Sequence, residues 1–271
     1  MKKYISILAI VSLTFFACKE NSSAPKVDED VVEVIDLLME KDGIKLSTNV
    51  LATEFEEASL SLIAPGEGDP IFPDSVLFRF GVENYELGVN TSDPLSGQCA
   101  NSGKGQHIHF ILNNAPYTAH YNAEFKKQLP AENNVLLAFL SRSYHMSIKS
   151  KDAYILTELY SGDAIDEFDE TAPHLFYSRP KGTYTGADAE KVMLDFFLVN
   201  TDLKDKNYLV RATINGLSFD IETWEPYFIE GLVEGENSIS LELLDAEGNL
   251  VPSPYNPVHR TISVNYSEES N

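Results

Sequence analysis

The chain repeats itself, and that constrains its fold more than any other feature. Ser75-Val-Leu-Phe-Arg-Phe-Gly-Val-Glu-Asn-Tyr-Glu-Leu87 lines up without gaps on Lys191-Val-Met-Leu-Asp-Phe-Phe-Leu-Val-Asn-Thr-Asp-Leu203. Upstream, Leu60-Ser-Leu-Ile-Ala-Pro65 matches Leu175-Phe-Tyr-Ser-Arg-Pro180. Downstream, Ile111-Leu-Asn-Asn114 matches Thr213-Ile-Asn-Gly216, the stretch from Leu129 matches the stretch from Leu232, and Tyr160-Ser161 falls where Tyr266-Ser267 does. Matches kept in order over about 100 residues mean a duplicated domain.

Each unit consists of short alternating segments broken by Pro, Gly, Asn and Asp. Leu209 to Ile214 and Leu217 to Ile221 flank Asn215-Gly216, a strong hairpin signal. Ser238-Ile-Ser-Leu-Glu-Leu alternates as a strand with one buried face does. Six or seven such strands per unit, roughly, predict an all-β chain: a tandem of two immunoglobulin-like β-sandwich domains, at 46–162 and 172–268. An acidic linker is expected at 163–171. The first unit carries an insertion, 88–105, rich in Gly, Ser and Asn, and insertions on a stable scaffold are where function tends to be placed.

The N-terminus addresses the chain. Lys2 and Lys3 precede an apolar run from Tyr4 to Ala17, the length of a signal-peptide core and short for a membrane span. Phe15-Phe16-Ala17-Cys18 resembles a lipobox, which implies a signal peptide at 1–17, lipidation of Cys18 and a membrane anchor, with a tether over 18–45. Val31 to Thr48, overlapping the end of that tether, fits either a strand or a short helix. Cys18-Lys19-Glu20 looks like the start of surface-exported lipoproteins, so the expected address is the outer membrane, exposed at the cell surface. With Cys18 lipidated, Cys99 has no disulfide partner in the chain. The balance of 42 Asp+Glu against 20 Lys+Arg, net −22, repels phosphate backbones and argues against nucleic acid as a partner.

Four of the six histidines, His107, His109, His120 and His145, fall in the first unit. His107 and His109 are two apart on a strand, so they share a face. If the following turn is Asn114-Ala115, His120 faces His109. If it is Asn113-Asn114, His120 faces His107. Either register predicts three imidazoles on one face, near enough to share a copper or zinc ion. His145 is expected to close the site with Met146 or Cys99. The alternatives are histidines facing water, histidines hydrogen-bonded in a core, or an anionic ligand on the same face. Gly105-Gln106-His107-Ile108-His109 resembles the metal-binding strand of copper–zinc superoxide dismutases over five residues. His174, beside Pro173, and His259, two residues after Pro257, read as structural.

Arg142, Ser143 and Tyr144 form a second candidate ligand site. With Ser141 and His145 they resemble the Arg, Ser and His of forkhead-associated domains, and Arg142 could fork onto a phosphate or carboxylate. Trp224 with Tyr227 and Phe228 fits a sugar-stacking platform or ordinary packing. No complete catalytic constellation is visible, so an enzyme is not expected. Gly105 to Asn114, Leu137 to His145 and Phe176 to Tyr184 together resemble a group of uncharacterised Bacteroidota lipoproteins often labelled phosphopeptide-binding. That resemblance spans most of residues 55 to 266. Two functions remain open: a non-enzymatic envelope lipoprotein binding copper, zinc or another ligand through the His face, or a scaffold or adhesion lipoprotein that docks protein, phosphopeptide or glycan.

Overall fold

The computed structural model describes residues 35–49, 55–66, 68–130, 133–161 and 168–267. The expected signal peptide, the lipidation site Cys18 and most of the acidic linker lie outside these residues. The first described element is a hairpin of β1 (Ile35–Lys41) and β2 (Ile44–Asn49), turned at Asp42-Gly43.

The first sandwich follows, with β3 (Ser59–Ala64), β4 (Val76–Glu83), β5 (His107–Leu112), β6 (Thr118–His120), β7 (Glu124–Lys127), β8 (Asn133–Ser141) and β9 (Tyr154–Tyr160). One sheet has the order β3-β4-β7 and the other β6-β5-β8-β9. The second sandwich comprises β10 (His174–Arg179), β11 (Thr183–Thr185), a single helical turn α1 (Ala187–Glu190), β12 (Val192–Val199), β13 (Tyr208–Ile214), β14 (Leu217–Ile221), β15 (Tyr227–Glu230), β16 (Gly235–Asp245) and β17 (Val258–Asn265). Its sheets run β1-β2-β15-β12-β10 and β11-β17-β16-β13-β14. Orders β3-β4-β7 and β6-β5-β8-β9 thus recur as β10-β12-β15 and β14-β13-β16-β17. The chain is all-β, a tandem of immunoglobulin-like sandwiches.

The duplication extends to single side chains. Asn113 and Asn215, both at φ near +50°, open matching two-residue turns. The Asn113 Oδ1 accepts from the Val135 N–H at 2.8 Å, and the Asn215 Oδ1 accepts from the Ser238 N–H at 2.9 Å. Asn84 and Asn200 likewise donate to the carbonyls of Glu57 and Ala172, each at 2.9 Å. Asparagine suits these places because its short amide tolerates a left-handed backbone and bonds locally. One sequence match fails: strand pairing puts Tyr160 where Ser263 stands, not Tyr266, because Asn133↔Tyr160 corresponds to Glu236↔Ser263.

Two expectations about boundaries are corrected. Residues 35–45 are a strand hairpin, not tether. Residues 46–49 belong to the second sandwich, not the first, because β2 pairs with β15. Ile44 and Leu46 enter the second core, so burial of apolar side chains draws the hairpin there.

The sandwiches are also not beads on a string. On β8, Leu136, Ala138 and Leu140 face the first core, while Val135, Leu137 and Phe139 face away from it. On β12, Val192, Leu194, Phe196 and Leu198 face the second core. The other faces of β8 and β12 meet in a third apolar layer, where the Phe139 and Phe197 rings stack at 4.7 Å. Each buried ring of this kind stabilises the pairing by about 1.5–3 kcal/mol. All described residues accordingly fall in one compact unit.

Asn114 ties the sandwiches together at the edge of β10. Its Oδ1 accepts from the Tyr177 N–H at 2.9 Å, and its Nδ2 donates to the Leu175 carbonyl at 3.2 Å. Asn114→Ala is expected to cost about 2–3 kcal/mol by leaving those buried groups unpaired. Urea denaturation measures it, and a loss below about 0.5 kcal/mol would show that water replaces the amide at no cost.

Candidate metal centre

The site lies on the face of β5 turned toward the second sandwich. His107 and His109 are fully buried there, between Ser141 and Phe139 on β8 and Ser178 on β10. Gly105 sets the approach. At φ +86° it lies so close to Val89 that an added Cβ would be 2.5 Å from the Val89 carbonyl oxygen, and its own carbonyl accepts the His107 Nδ1–H at 2.8 Å. A carbonyl only accepts, so His107 carries its proton on Nδ1 and presents a bare Nε2.

That Nε2 lies 3.0 Å from His109 Nε2 and 3.1 Å from His145 Nδ1. The three donor nitrogens all fall within 4.8 Å of one another. His145 reaches them from the turn after β8, held in a left-handed backbone at φ +72° by its N–H bond to the Arg142 carbonyl. A residue other than glycine in that region is strained by about 1 kcal/mol or more, and such strain collects at functional sites.

Tyr117 completes the cluster. Its ring stacks on His109 at 3.6 Å and its hydroxyl lies 3.1 Å from His145 Nδ1. Arg179 Nε donates to the same oxygen at 3.2 Å. The bare Nε2 of His107 thus has a ring nitrogen of each of the other two histidines within 3.1 Å.

His120 does not join. The turn is Asn113-Asn114, closed by the Ala115 N–H to the Leu112 carbonyl at 2.9 Å. The return strand then gains one residue at Pro116, which has no N–H to give, and the register pairs Ile108 with His120 and Phe110 with Thr118. A one-residue slip exchanges faces. His120 turns away to stack on Phe125 at 3.4 Å, and Tyr117 takes a place on the His face. No sequence pattern pointed to Tyr117 or Arg179. The β-breaking Pro116 was the signal available.

Cys99 and Met146 also lie elsewhere, packed with Tyr144 around Leu95, and burial pushes the Cys99 thiol up to about 11. Arg142, Ser143 and Tyr144, the second candidate ligand site, are bonded within the fold. They hold the 88–105 insertion: Ser143 and Thr91 exchange backbone-to-hydroxyl bonds at 3.1 and 3.0 Å, and the Tyr144 hydroxyl donates to Asp93 at 2.7 Å. Arg142 is buried and donates to the Ser147 carbonyl at 3.2 Å. Trp224 donates to the Phe196 carbonyl at 3.0 Å, and Tyr227 and Phe228 are buried, so this aromatic group is packing. His174, bonded to Ser253 and the Asp169 carbonyl, is structural, and His259 is exposed.

The electrostatics favour neutral imidazoles. Burial holds His107 down to about 4, helped by Arg179 and Lys181 against the Gly105 bond. Burial likewise pushes His109 and His145 far below the usual histidine range. The lone pairs are therefore available at neutral pH without competition from protons. In the unfolded chain these groups titrate near 6.5, so it binds more protons than the fold between about pH 6.5 and 4. Stability present at pH 7 is thus lost as the pH falls. For His107 alone the loss is expected to be roughly 2 kcal/mol at pH 5, readable as a lower urea midpoint of the metal-free protein. An unchanged midpoint would mean that the imidazoles are protonated in the fold.

No family model and no curated protein matches the chain. Among solved structures it is similar to the fibronectin(III)-like modules of Clostridium thermocellum CbhA, at 15% identity over 78% of this chain and 97% of that one, with a TM-score of 0.29. It is also similar to the central fibronectin-III array of RIM-binding protein, at 8% identity over 82% and 73%, TM-score 0.27. A third is SGBP-B of the Bacteroides ovatus mixed-linkage glucan utilization locus, at 11% identity over 76% and 47%, TM-score 0.21. Likenesses of this degree say nothing about what this chain binds. Among the described residues no helix is long and apolar enough to cross a membrane.

Proposed function

We propose that this chain is a non-enzymatic cell-envelope lipoprotein, anchored through Cys18 and exposed at the outer membrane, that holds a copper or zinc ion on His107, His109 and His145. One observation carries the reading: the bare Nε2 of His107 lies 3.0 Å from His109 Nε2 and 3.1 Å from His145 Nδ1, so three imidazole nitrogens converge on one point. In a tetrahedral site with ~2.0 Å bonds, ligand nitrogens lie ~3.3 Å apart, close to the two short separations seen here. His107 is oriented by a carbonyl on its far nitrogen, as metal-bound histidines usually are.

The test is a titration of the mature protein with copper and zinc in chelator-buffered solution, beside His120→Ala. One equivalent of ion bound equally by both proteins supports the reading. Loss of binding in His120→Ala, or no binding by the wild type, overturns it.

A further inference from the structure

We infer that the Tyr117 oxygen, steadied by Arg179, is the fourth ligand of the ion; this rests on the metal reading above. Both short nitrogen separations involve His107, and its ring lies 4.8 Å from each of the other two, whereas theirs are 5.8 Å apart. His107 therefore sits between His109 and His145, with a nitrogen of each near its Nε2. Tyr117 touches both outer imidazoles, stacking on one and meeting the other with its hydroxyl. Three nitrogens and this oxygen make a four-member N,O set of the kind that holds copper(II) or zinc.

Charge points the same way. The metal-ligating cluster consists of three histidines and no carboxylate. Two cations stand beside it: Arg179 on the Tyr117 oxygen, and Lys181, whose Nζ lies 3.9 Å from the Tyr117 ring centroid and donates to the Tyr117 carbonyl at 2.8 Å. A divalent ion placed here needs a negative ligand, and Tyr117 is the group in position to become one. As the oxygen–copper bond forms, the O–H bond breaks and its proton leaves to water. The Arg179 Nε–H, already aimed at that oxygen, becomes a charge-assisted bond to phenolate.

The experiment is copper(II) titration of the mature protein, read by visible absorption and electron paramagnetic resonance, on wild type, Tyr117→Phe and Tyr121→Phe. Tyr121 is the control because its ring also approaches His107, at 5.0 Å. The expected result is one equivalent of copper with a phenolate-to-copper charge-transfer band. The band survives in Tyr121→Phe and is lost in Tyr117→Phe, which still binds copper at least tenfold more weakly. Copper bound by the wild type without the band, or a band that persists in Tyr117→Phe, overturns the assignment of Tyr117 and leaves the histidine site standing. Absence of copper from the wild type overturns the histidine site itself. The wild-type spectrum decides even if Tyr117→Phe fails to fold.

Discussion

Replacing His145 by glycine is expected to weaken metal binding by a factor of roughly 10²–10³ while leaving the metal-free protein no less stable. The first part follows from sharing the ~10–16 kcal/mol of a structural metal site among about four ligands, so that each carries roughly 3–4 kcal/mol. The second follows from the backbone. His145 sits at φ +72°, a conformation glycine adopts freely and other residues adopt at a cost of about 1 kcal/mol. Chelator competition measures the affinity and urea denaturation the stability. A variant that binds metal as the wild type does, or that is clearly destabilised without metal, contradicts this view of His145.

Asp195→Ala is expected to cost the fold about 3–5 kcal/mol, the loss typical of breaking a buried ion pair from one side. Asp195 is fully buried on β12 and accepts from Lys149 Nζ at 2.8 Å and from Ser147 Oγ at 2.9 Å, both from the first sandwich. The Lys149 side chain is only 17% exposed, and burial already pulls its ammonium below the usual lysine range against the pull of Asp195. Removing the carboxylate strands that charge between the sandwiches. The double variant Lys149→Met/Asp195→Leu is expected to recover most of the loss, because apolar pairs of similar volume often match or exceed a buried ion pair. Equal damage from the single and double variants would mean that shape, not charge, decides the cost.

The parts of this fold legible in the sequence are those that depend on local spacing. The Asn215-Gly216 turn and the shared face of His107 and His109 follow from turn chemistry and a period of two, and the match of β4 with its duplicate β12 follows from the repeat. The stacking of the two sandwiches was harder, yet its signal was present. Val135 to Leu140 and Val192 to Val199 are nearly unbroken apolar runs, the mark of strands buried on both faces, and Asp195 interrupts the second run only because Lys149 meets it. The hairpin of residues 35–49 was illegible because it pairs with β15, nearly 180 residues further on. At the site, spacing found His107, His109 and His145. It misplaced His120 because a single extra residue at Pro116 reverses every side chain beyond it. Tyr117 was carried onto the His face by that slip, and Arg179 comes from the other sandwich, so neither could be placed before the packing was known.

The central claim is that three imidazoles share one ion, and X-ray absorption on the metal-loaded mature protein tests it most directly. The account predicts about three nitrogen ligands at ~2.0 Å with the outer-shell scattering of imidazole rings. A first shell made only of oxygens, or one holding a single imidazole, would contradict it.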